Sequence, residues 1–168
     1  MLKWLWLSLV VVISDQITKI LVIQNFQYQE SVPVFSNFNL VHVHNYGAAF
    51  SFLSTAGGWQ RWLFAVLAIV ISAMIVYWIS KLKSGEKFSA IGLALVLGGA
   101  IGNLIDRIYH GYVIDFLDFY IGPKHWPAFN VADIAISVGV VALIILSFFD
   151  RKEEEDKGAV ARESNSNG

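Results

Sequence analysis

The chain has 168 residues, of which 56% are hydrophobic and 15% are charged, and its mean hydropathy is +0.58. This composition is typical of integral membrane proteins and not of soluble domains. The formal net charge is −1 and the sequence has no basic stripe, so nucleic-acid binding has little support. The chain contains no cysteine, which excludes a disulfide framework, a thiolate metal site and a cysteine nucleophile.

Four segments are long and apolar enough to cross a membrane, which takes about 20 residues. The first contains Asp15 and Lys19 and is not followed by a small-x-small cleavage site, so we interpret it as a retained span and not as a cleaved leader. Four spans put both termini on the same side of the membrane. The predicted spans are, approximately, residues 3–24, 60–80, 88–107 and 130–149.

Basic residues in short loops indicate the orientation of these spans. Lys3, the connection 81–87 and the basic pair at 151–152 lie on one side, which is therefore predicted to be cytoplasmic. The two longer connections, 25–59 and 108–129, then face the outside. We expect the functional residues to lie there.

The first outer segment carries a strand pattern. Residues 39–45 alternate apolar and polar side chains as a half-buried strand does, and a turn-rich continuation with small residues follows over 45–51. We predict a small sheet on the membrane surface. His42 and His44 form a His-x-His pair on one face of this strand, but no third ligand is evident, so we favour ordinary polar roles over a metal site.

The last part of the chain has too few apolar residues to pack against the rest of the protein. Residues 151–168 combine a charged run with a Ser/Asn/Gly-rich end and are predicted to be a disordered cytoplasmic tail. Residues 1–150 then form a single membrane domain. The predicted fold is an all-α membrane protein of four transmembrane helices, with a small extracytoplasmic β-sheet after the first helix.

Two charged residues interrupt the first span. Asp15 and Lys19 are four residues apart, so on a helix they share a face and can neutralise one another. An ion pair that holds the span against its neighbours and a role in ligand binding are both consistent with this spacing, because charges inside membranes serve both purposes. The pair alone does not indicate a particular chemistry.

The third span ends in a glycine-rich sequence, 98–107, whose small-xxx-small spacing favours close helix packing. Gly99 and Asn103 lie four residues apart on one face. Either Asp106 or Arg107 continues this row, which would aim an amide and a charge in one direction near the outer surface. The alternative is a simple helix end, with Arg107 extending to the headgroups.

Two aspartates in apolar surroundings are candidates for acid–base chemistry. Asp115 lies in the sequence VIDF, and Asp133 lies near the start of the fourth span. Asn130 and Asp133 also fit a helix cap, a role compatible with chemistry because a helix N-terminus orients an aspartate. Asp118 is close to Asp115 in sequence, and the residues alone do not indicate which of the two faces Asp133.

Five sequence blocks follow one another along the chain: DQITK at 15–19, NYGAAF at 45–50, GAIGNLIDR at 99–107, VIDF at 113–116 and FNVAD at 129–133. Taken in this order, they closely resemble the bacterial lipoprotein signal peptidases, the type II signal peptidases, which are aspartyl peptidases of the inner membrane. The resemblance extends from residue 15 into the fourth span, and only the polar tail lies outside it.

The resemblance implies an endopeptidase that removes the signal peptide of a prolipoprotein by cleaving before a diacylglyceryl-modified cysteine. It implies Asp115 and Asp133 as the catalytic pair, and this choice over Asp118 rests on the resemblance only. Two such carboxylates would share one proton. Residues at matching binding or supporting positions are Asp15, Lys19, Asn45, Gly99, Asn103, Asp106, Arg107, Asn130 and Ala132.

The resemblance also implies the partners and the location. Expected partners are diacylglyceryl-prolipoprotein substrates, membrane lipids and cyclic depsipeptide inhibitors of the globomycin type, and neither a metal nor an organic cofactor is required. We expect a monomer in the cell inner membrane, with both termini cytoplasmic and the active site near the periplasmic face.

Two other classes of protein are consistent with a small polar-lined membrane bundle. In a transporter or channel, the charged residues of the spans would line an ion path, although the sequence lacks inverted-repeat symmetry and its polar residues gather toward one side. In a structural or assembly subunit, the aspartates would be only caps and ion pairs. Sensitivity to Asp→Asn changes distinguishes the enzyme from the subunit.

Overall fold

The structure is a computed structural model that describes residues 1–47, 53 and 57–166, with side chains up to residue 149. Residues 48–51 of the predicted turn-rich continuation lie outside the described residues. The helices are α1 (Leu5–Asn25, after a short 3-10 turn), α2 (Gln60–Lys81), α3 (Lys87–Tyr109) and α4 (Val131–Ser166). The strands are β1 (Ser31–Phe35), β2 (Phe38–Asn45), β3 (Val113–Ile121) and β4 (Lys124–His125).

Four described helices are long and apolar enough to cross a membrane, which confirms the predicted number of spans. They cover Leu2–Asn25, Gln60–Lys81, Lys87–Tyr109 and Val131–Phe149, and the mean hydropathy of each is at least 1.8. Many of their large apolar side chains are exposed on the outside of the bundle. Contact of such apolar faces with lipid is not unfavourable, whereas their exposure to water would be.

Helix α3 is the centre of the bundle and packs against α1, α2 and α4. Its glycines make this packing possible, because a Cβ on Gly98 would lie 2.9 Å from the backbone oxygen of Ser8 in α1. A Cβ on Gly99 would overlap the backbone oxygen of Ala132 in α4. The close helix packing predicted from the glycine spacing is therefore confirmed.

The sheet has four antiparallel strands in the order β1-β2-β3-β4 and joins the two connections that were predicted to be outside. The predicted strand at 39–45 is confirmed as part of β2. The sequence analysis did not predict β1, β3 or β4. Strand β3 pairs with β2 so that Val43 lies opposite Asp115 and Asn39 lies opposite Asp118, with an irregularity in the register between Leu40 and Val43.

Helix α4 continues without a break to Ser166, well beyond the apolar part that ends at Phe149. This backbone differs from the disordered tail predicted for 151–168. The polar residues extend the fourth span by adding turns to a helix that is already formed, which avoids the cost of helix nucleation. The cytoplasmic location of this tail stays a prediction.

Candidate active site

Strand β3 positions Asp115 by the alternation of its side chains. Ile114 and Phe116 are buried and pack against Val22 near the end of α1, which fixes one face of the strand. Because successive side chains of a strand point to opposite faces, Asp115 points the other way, into a cavity that it lines. It is only 2% exposed.

Asp118 is three residues further along β3 and therefore lies on the other face of the strand. Its carboxylate accepts a hydrogen bond from Nδ2 of Asn39 (2.8 Å) and contacts Nδ1 of His125 (2.9 Å). It does not line the cavity beside Asp115. The structure thus separates the two aspartates that the sequence left as alternatives.

Asp133 lies in the first turn of α4, where the helix begins with a reciprocal cap. The backbone N–H of Asp133 donates to Oδ1 of Asn130 (2.9 Å), and the backbone N–H of Asn130 donates to Oδ2 of Asp133 (3.2 Å). The predicted capping role of these two residues is confirmed. The cap fixes the direction in which the Asp133 carboxylate leaves the helix.

Asparagine side chains connect the two carboxylates. Nδ2 of Asn130 donates to Oδ1 of Asp115 (2.6 Å), so the residue that caps Asp133 also holds Asp115. Nδ2 of Asn45 donates to the second oxygen of Asp115 (3.0 Å), and Nδ2 of Asn103 donates to Oδ1 of Asp133 (2.8 Å). Each of the four carboxylate oxygens accepts a hydrogen bond, so both groups are fixed in orientation.

Burial raises the pKa of Asp115 from its usual value near 4 to about 7, and the negative charge of Asp133 adds to this effect. Hydrogen bonds from Asn45 and Asn130, together with the positive charge of Lys19, act in the opposite direction and lower the pKa. A carboxyl group with a pKa near 7 is about half protonated at neutral pH, beside a second carboxyl group. This is the arrangement that carboxylate-based acid–base catalysis requires.

A buried ion cluster lies behind the asparagines. Nζ of Lys19 is 2.8 Å from Oδ2 of Asp15, 2.8 Å from Oδ2 of Asp106 and 3.0 Å from Oδ1 of Asn103. The three charged side chains are at most 1% exposed, and all three donors of the ammonium group are used. The ion pair predicted for Asp15 and Lys19 is confirmed, and Asp106 is its third member.

Arg107 points away from this cluster and lines the cavity together with the two aspartates. Its guanidinium group donates to the backbone oxygens of Gly47 (2.9 Å) and Asn103 (3.3 Å) and lies 5.3 Å from the ring of Phe64. Arg107 is the only lysine or arginine among the described residues that line the cavity. Of the two residues considered for the row of Gly99 and Asn103, Asp106 lies in the buried ion cluster and Arg107 lies on the cavity wall.

The cavity measures about 920 Å³ and is only partly enclosed. Asp115, Asp133 and Arg107 form its polar end, close to the sheet. The rest of the wall follows α2, α3 and α4 deeper into the bundle and is mostly apolar. Described residues of this apolar part include Phe64, Leu67, Ile71, Ala100, Ile136 and Val138.

Two predicted binding residues are found in helix packing. Gly99 lies against the backbone of Ala132, and the Ala132 N–H donates to Oδ1 of Asp15 (2.9 Å). Neither lines the cavity among the described residues, and their direct role in binding stays a prediction.

Gln16 belongs to the buried network, although the sequence analysis gave it no role. Its amide donates to Oδ1 of Asp106 (3.0 Å), to the backbone oxygen of Gly102 (3.2 Å) and to Oδ2 of Asp15 (3.3 Å). An uncharged polar residue beside Asp15 in an apolar span was the available signal.

The histidine pair of β2 lies in an aromatic cluster. Nε2 of His44 is 3.3 Å from Nε2 of His42, and the His44 ring stacks between Tyr28 and Tyr112 at centroid distances of 4.2 and 3.7 Å. Burial, together with nearby histidines, lowers the pKa of His44 to about 4. Within the described residues, no group of three His, Cys, Asp or Glu side chains is arranged to hold a metal ion.

Comparisons with known proteins agree with this geometry. The family described as signal peptidase (SPase) II matches residues 7–149. The chain is 53% identical over 155 residues to a lipoprotein signal peptidase of Vibrio vulnificus, covering 91% of this chain and 92% of that protein. It is 47% identical over 167 residues to one of Alteromonas mediterranea, with coverage of 99% and 92%.

A solved structure described as a bacterial membrane enzyme at 2.3 Å resolution superimposes with a TM-score of 0.82 at 31% identity, covering 91% of this chain and 92% of that chain. The fold and the site thus define a membrane-embedded enzyme with a buried carboxylate pair. The chain belongs to the signal peptidase II family, the lipoprotein signal peptidases, whose members are proteases that cleave signal peptides from prolipoproteins. The resemblance seen in the sequence is confirmed, and the transporter and structural-subunit alternatives are set aside.

Proposed function

We propose that this chain is an aspartyl endopeptidase of the bacterial inner membrane that cleaves diacylglyceryl-modified prolipoproteins immediately before the lipidated cysteine. Asp115 and Asp133 are the catalytic pair. The observation that carries this proposal is that one buried residue, Asn130, hydrogen-bonds to both carboxylates at the polar end of a cavity that continues among apolar helices. Family membership supports the substrate class.

In the proposed mechanism the two carboxyl groups hold one proton between them. The ionised carboxylate takes a proton from a water molecule, whose oxygen attacks the scissile carbonyl carbon, while the protonated carboxyl donates its proton to the carbonyl oxygen. When the tetrahedral diol collapses, one of its hydroxyl protons returns to the pair, and the proton that the pair took from water is transferred to the leaving amine of the cysteine. The pair titrates as a unit, so we assign no separate roles to Asp115 and Asp133.

The shape of the cavity supports a lipid-modified substrate. Its apolar part, between α2 and α4, is suited to acyl chains, and its polar end holds the peptide next to the carboxylates. Asn103 and Arg107 are placed to bind glycerol or backbone oxygens. Asn45, at the end of β2, covers Asp115 from the sheet side and makes this strand a candidate lid.

The orientation proposed from the sequence has support from the topology. The candidate site lies where α3 ends and α4 begins, whereas the basic connection between α2 and α3 is at the opposite end of these helices. Basic loops favour the cytoplasmic side, so we propose that the site and the sheet face the periplasm and that both termini are cytoplasmic. We further propose a monomer that cyclic depsipeptides of the globomycin type inhibit by occupying the cavity.

The test uses the purified full-length protein and a diacylglyceryl-modified precursor in a gel-shift assay, with and without a cyclic depsipeptide of the globomycin type. Asp115→Asn and Asp133→Asn should each lower processing at least about 10³-fold. The amide that replaces one carboxyl group cannot exchange a proton with the remaining carboxyl group. Asp118→Asn on the same strand is the matched control and should be mild. Full processing by either of the first two variants would remove the catalytic assignment.

A further inference from the structure

The backbone just before Asp133 is held by helix α1. The Ala132 N–H donates to Oδ1 of Asp15 at 2.9 Å, and both residues are completely buried. Gly102 leaves the room for this contact, because a Cβ there would lie 2.6 Å from Oδ2 of Asp15. Since Ala132 and Asp133 share a peptide bond, the position of the Asp15 carboxylate determines where the Asp133 side chain begins.

The backbone just before Asp115 is held in the same way by helix α3. The Ile114 N–H donates to Oδ2 of Asp106 at 3.0 Å, and both residues are 1% exposed. The position of the Asp106 carboxylate therefore determines where the Asp115 side chain begins. The two aspartates of the candidate pair lie on different elements, but each follows a residue whose N–H is bound to a carboxylate.

Two side chains of α1 join these two carboxylates. Nζ of Lys19 lies 2.8 Å from Asp15 and 2.8 Å from Asp106. The Gln16 amide also contacts both, at 3.3 Å and 3.0 Å, and donates to the backbone oxygen of Gly102. The backbone before Asp115 and the backbone before Asp133 are thus connected through buried contacts. Each backbone N–H is bound to one carboxylate, and both Lys19 and Gln16 bridge the two carboxylates.

We propose that Asp15, Gln16, Lys19 and Asp106 form a positioning device that sets the separation of the Asp115 and Asp133 carboxylates by holding the backbone immediately before each of them. None of the four lines the cavity. Gln16 is newly assigned by this proposal, because its amide contacts the same two carboxylates that Lys19 joins. The inference rests on the proposed roles of Asp115 and Asp133.

The device has a consequence for the titration of the pair. Two carboxylates that share a proton repel one another, and this repulsion separates the two pKa values that bound the pH range of activity. A larger separation between the carboxylates weakens the repulsion and narrows this range. A simple loss of folded protein lowers activity at every pH and leaves the width unchanged.

The charged and titratable groups that face the pair are Asp15 and Lys19 from α1, His44 from β2, and Asp106 and Arg107 from α3. A change at Gln16 alters none of these charges, and His44 stays neutral above pH 5 because burial lowers its pKa to about 4. Gln16→Leu therefore tests geometry alone. It removes the amide contacts but leaves the ion pairs of Lys19 in place.

The experiment measures kcat, KM and the pH dependence of kcat/KM for the full-length protein with a diacylglyceryl-modified lipopeptide. Gln16→Leu should lower kcat about tenfold with KM changed less than about twofold, and should narrow the pH range of activity, because a small misplacement of reacting groups is costly. Thr18→Val is the matched control, since the Thr18 hydroxyl bonds only to backbone oxygens of its own helix.

Gln16→Asn provides a second variant, whose shorter amide cannot reach both carboxylates, in case the leucine variant does not fold. An unchanged kcat in the folded variants, or a lower kcat with an unchanged width of the pH range, would overturn the positioning role. Asp115→Asn is measured in parallel. If that variant is active, the proposed catalytic pair fails, which is a result distinct from failure of the positioning device.

Discussion

Strand β3 carries two buried aspartates that provide a comparison within one element. Asp115 and Asp118 each accept a hydrogen bond from an asparagine, and both are at most 6% exposed. Asp115 faces a second carboxylate across a cavity, whereas Asp118 faces His125 at the edge of the sheet. Burial and an amide donor are therefore common to a structural and a candidate catalytic aspartate, and the second carboxylate is what differs.

The asparagines that donate to the two aspartates give the sharpest contrast between them. Asn130→Ala removes the amide that donates to Asp115 and the side-chain oxygen that caps the Asp133 N–H, and we expect kcat to fall by about two to three orders of magnitude, as for other losses of precise orientation. Asn39→Ala removes the equivalent donor to Asp118 and should change kcat less than about threefold. Steady-state kinetics on a lipidated peptide measure both, and equal losses would contradict the contrast.

The pH dependence of kcat/KM should also distinguish Asp115 from Asp118. Because the pKa of Asp115 is raised to about 7, the proton of the pair is lost as the pH rises through 7, and kcat/KM should fall on this alkaline side. The hydrogen bond from Asn45 lowers this pKa, so Asn45→Ala should move the alkaline limit to higher pH. Asp118→Asn should leave it in place. A pH profile without an alkaline decline near 7 would contradict the assignment.

Stability should change in the opposite direction to activity at Asp115. A carboxyl whose pKa is higher in the folded than in the unfolded protein stabilises the fold below the unfolded pKa near 4, and this contribution is lost as the pH rises through 7. Asp115→Asn has no such loss, so its melting temperature should exceed that of the wild type at pH 8 by several degrees, and the difference should shrink toward pH 5. Thermal melts in detergent at the two pH values test this.

The smallest effect is expected at the edge of the sheet. The His125 side chain is 53% exposed, and ion pairs of exposed groups contribute little. His125→Ala should change the free energy of unfolding by no more than about 1 kcal/mol and leave kcat unchanged. A loss of activity comparable to that of Asn130→Ala would show that the Asp118 region takes part in the reaction.

Local patterns in the sequence predicted a large part of this structure. Hydropathy predicted the four helices, the spacing of Asp15 and Lys19 predicted their ion pair, and the spacing of Asn130 and Asp133 predicted the cap. Each of these features depends on residues within one helix or at its end. The resemblance to a known family supplied the choice of Asp115, which no local pattern provides.

The remaining features depend on contacts between distant parts of the chain. Strand β3 is buried on both faces over its first four residues, so it lacks the alternation that reveals a half-buried strand. The contact of Lys19 with Asp106 and those of Gln16 with Asp106 and Gly102 join residues more than 80 positions apart. Sequence spacing carries no information on such pairs.

One further consequence follows from the outermost strand. All five residues of β1 are exposed, and β1 lies at the margin of the sheet with β2 as its single neighbour. Unprotected margins of this kind recruit strands from other molecules, but Pro33 in the middle of β1 has no amide hydrogen to offer. This proline removes one backbone donor from β1, so we expect it to disfavour pairing of the sheet with a strand of a second molecule.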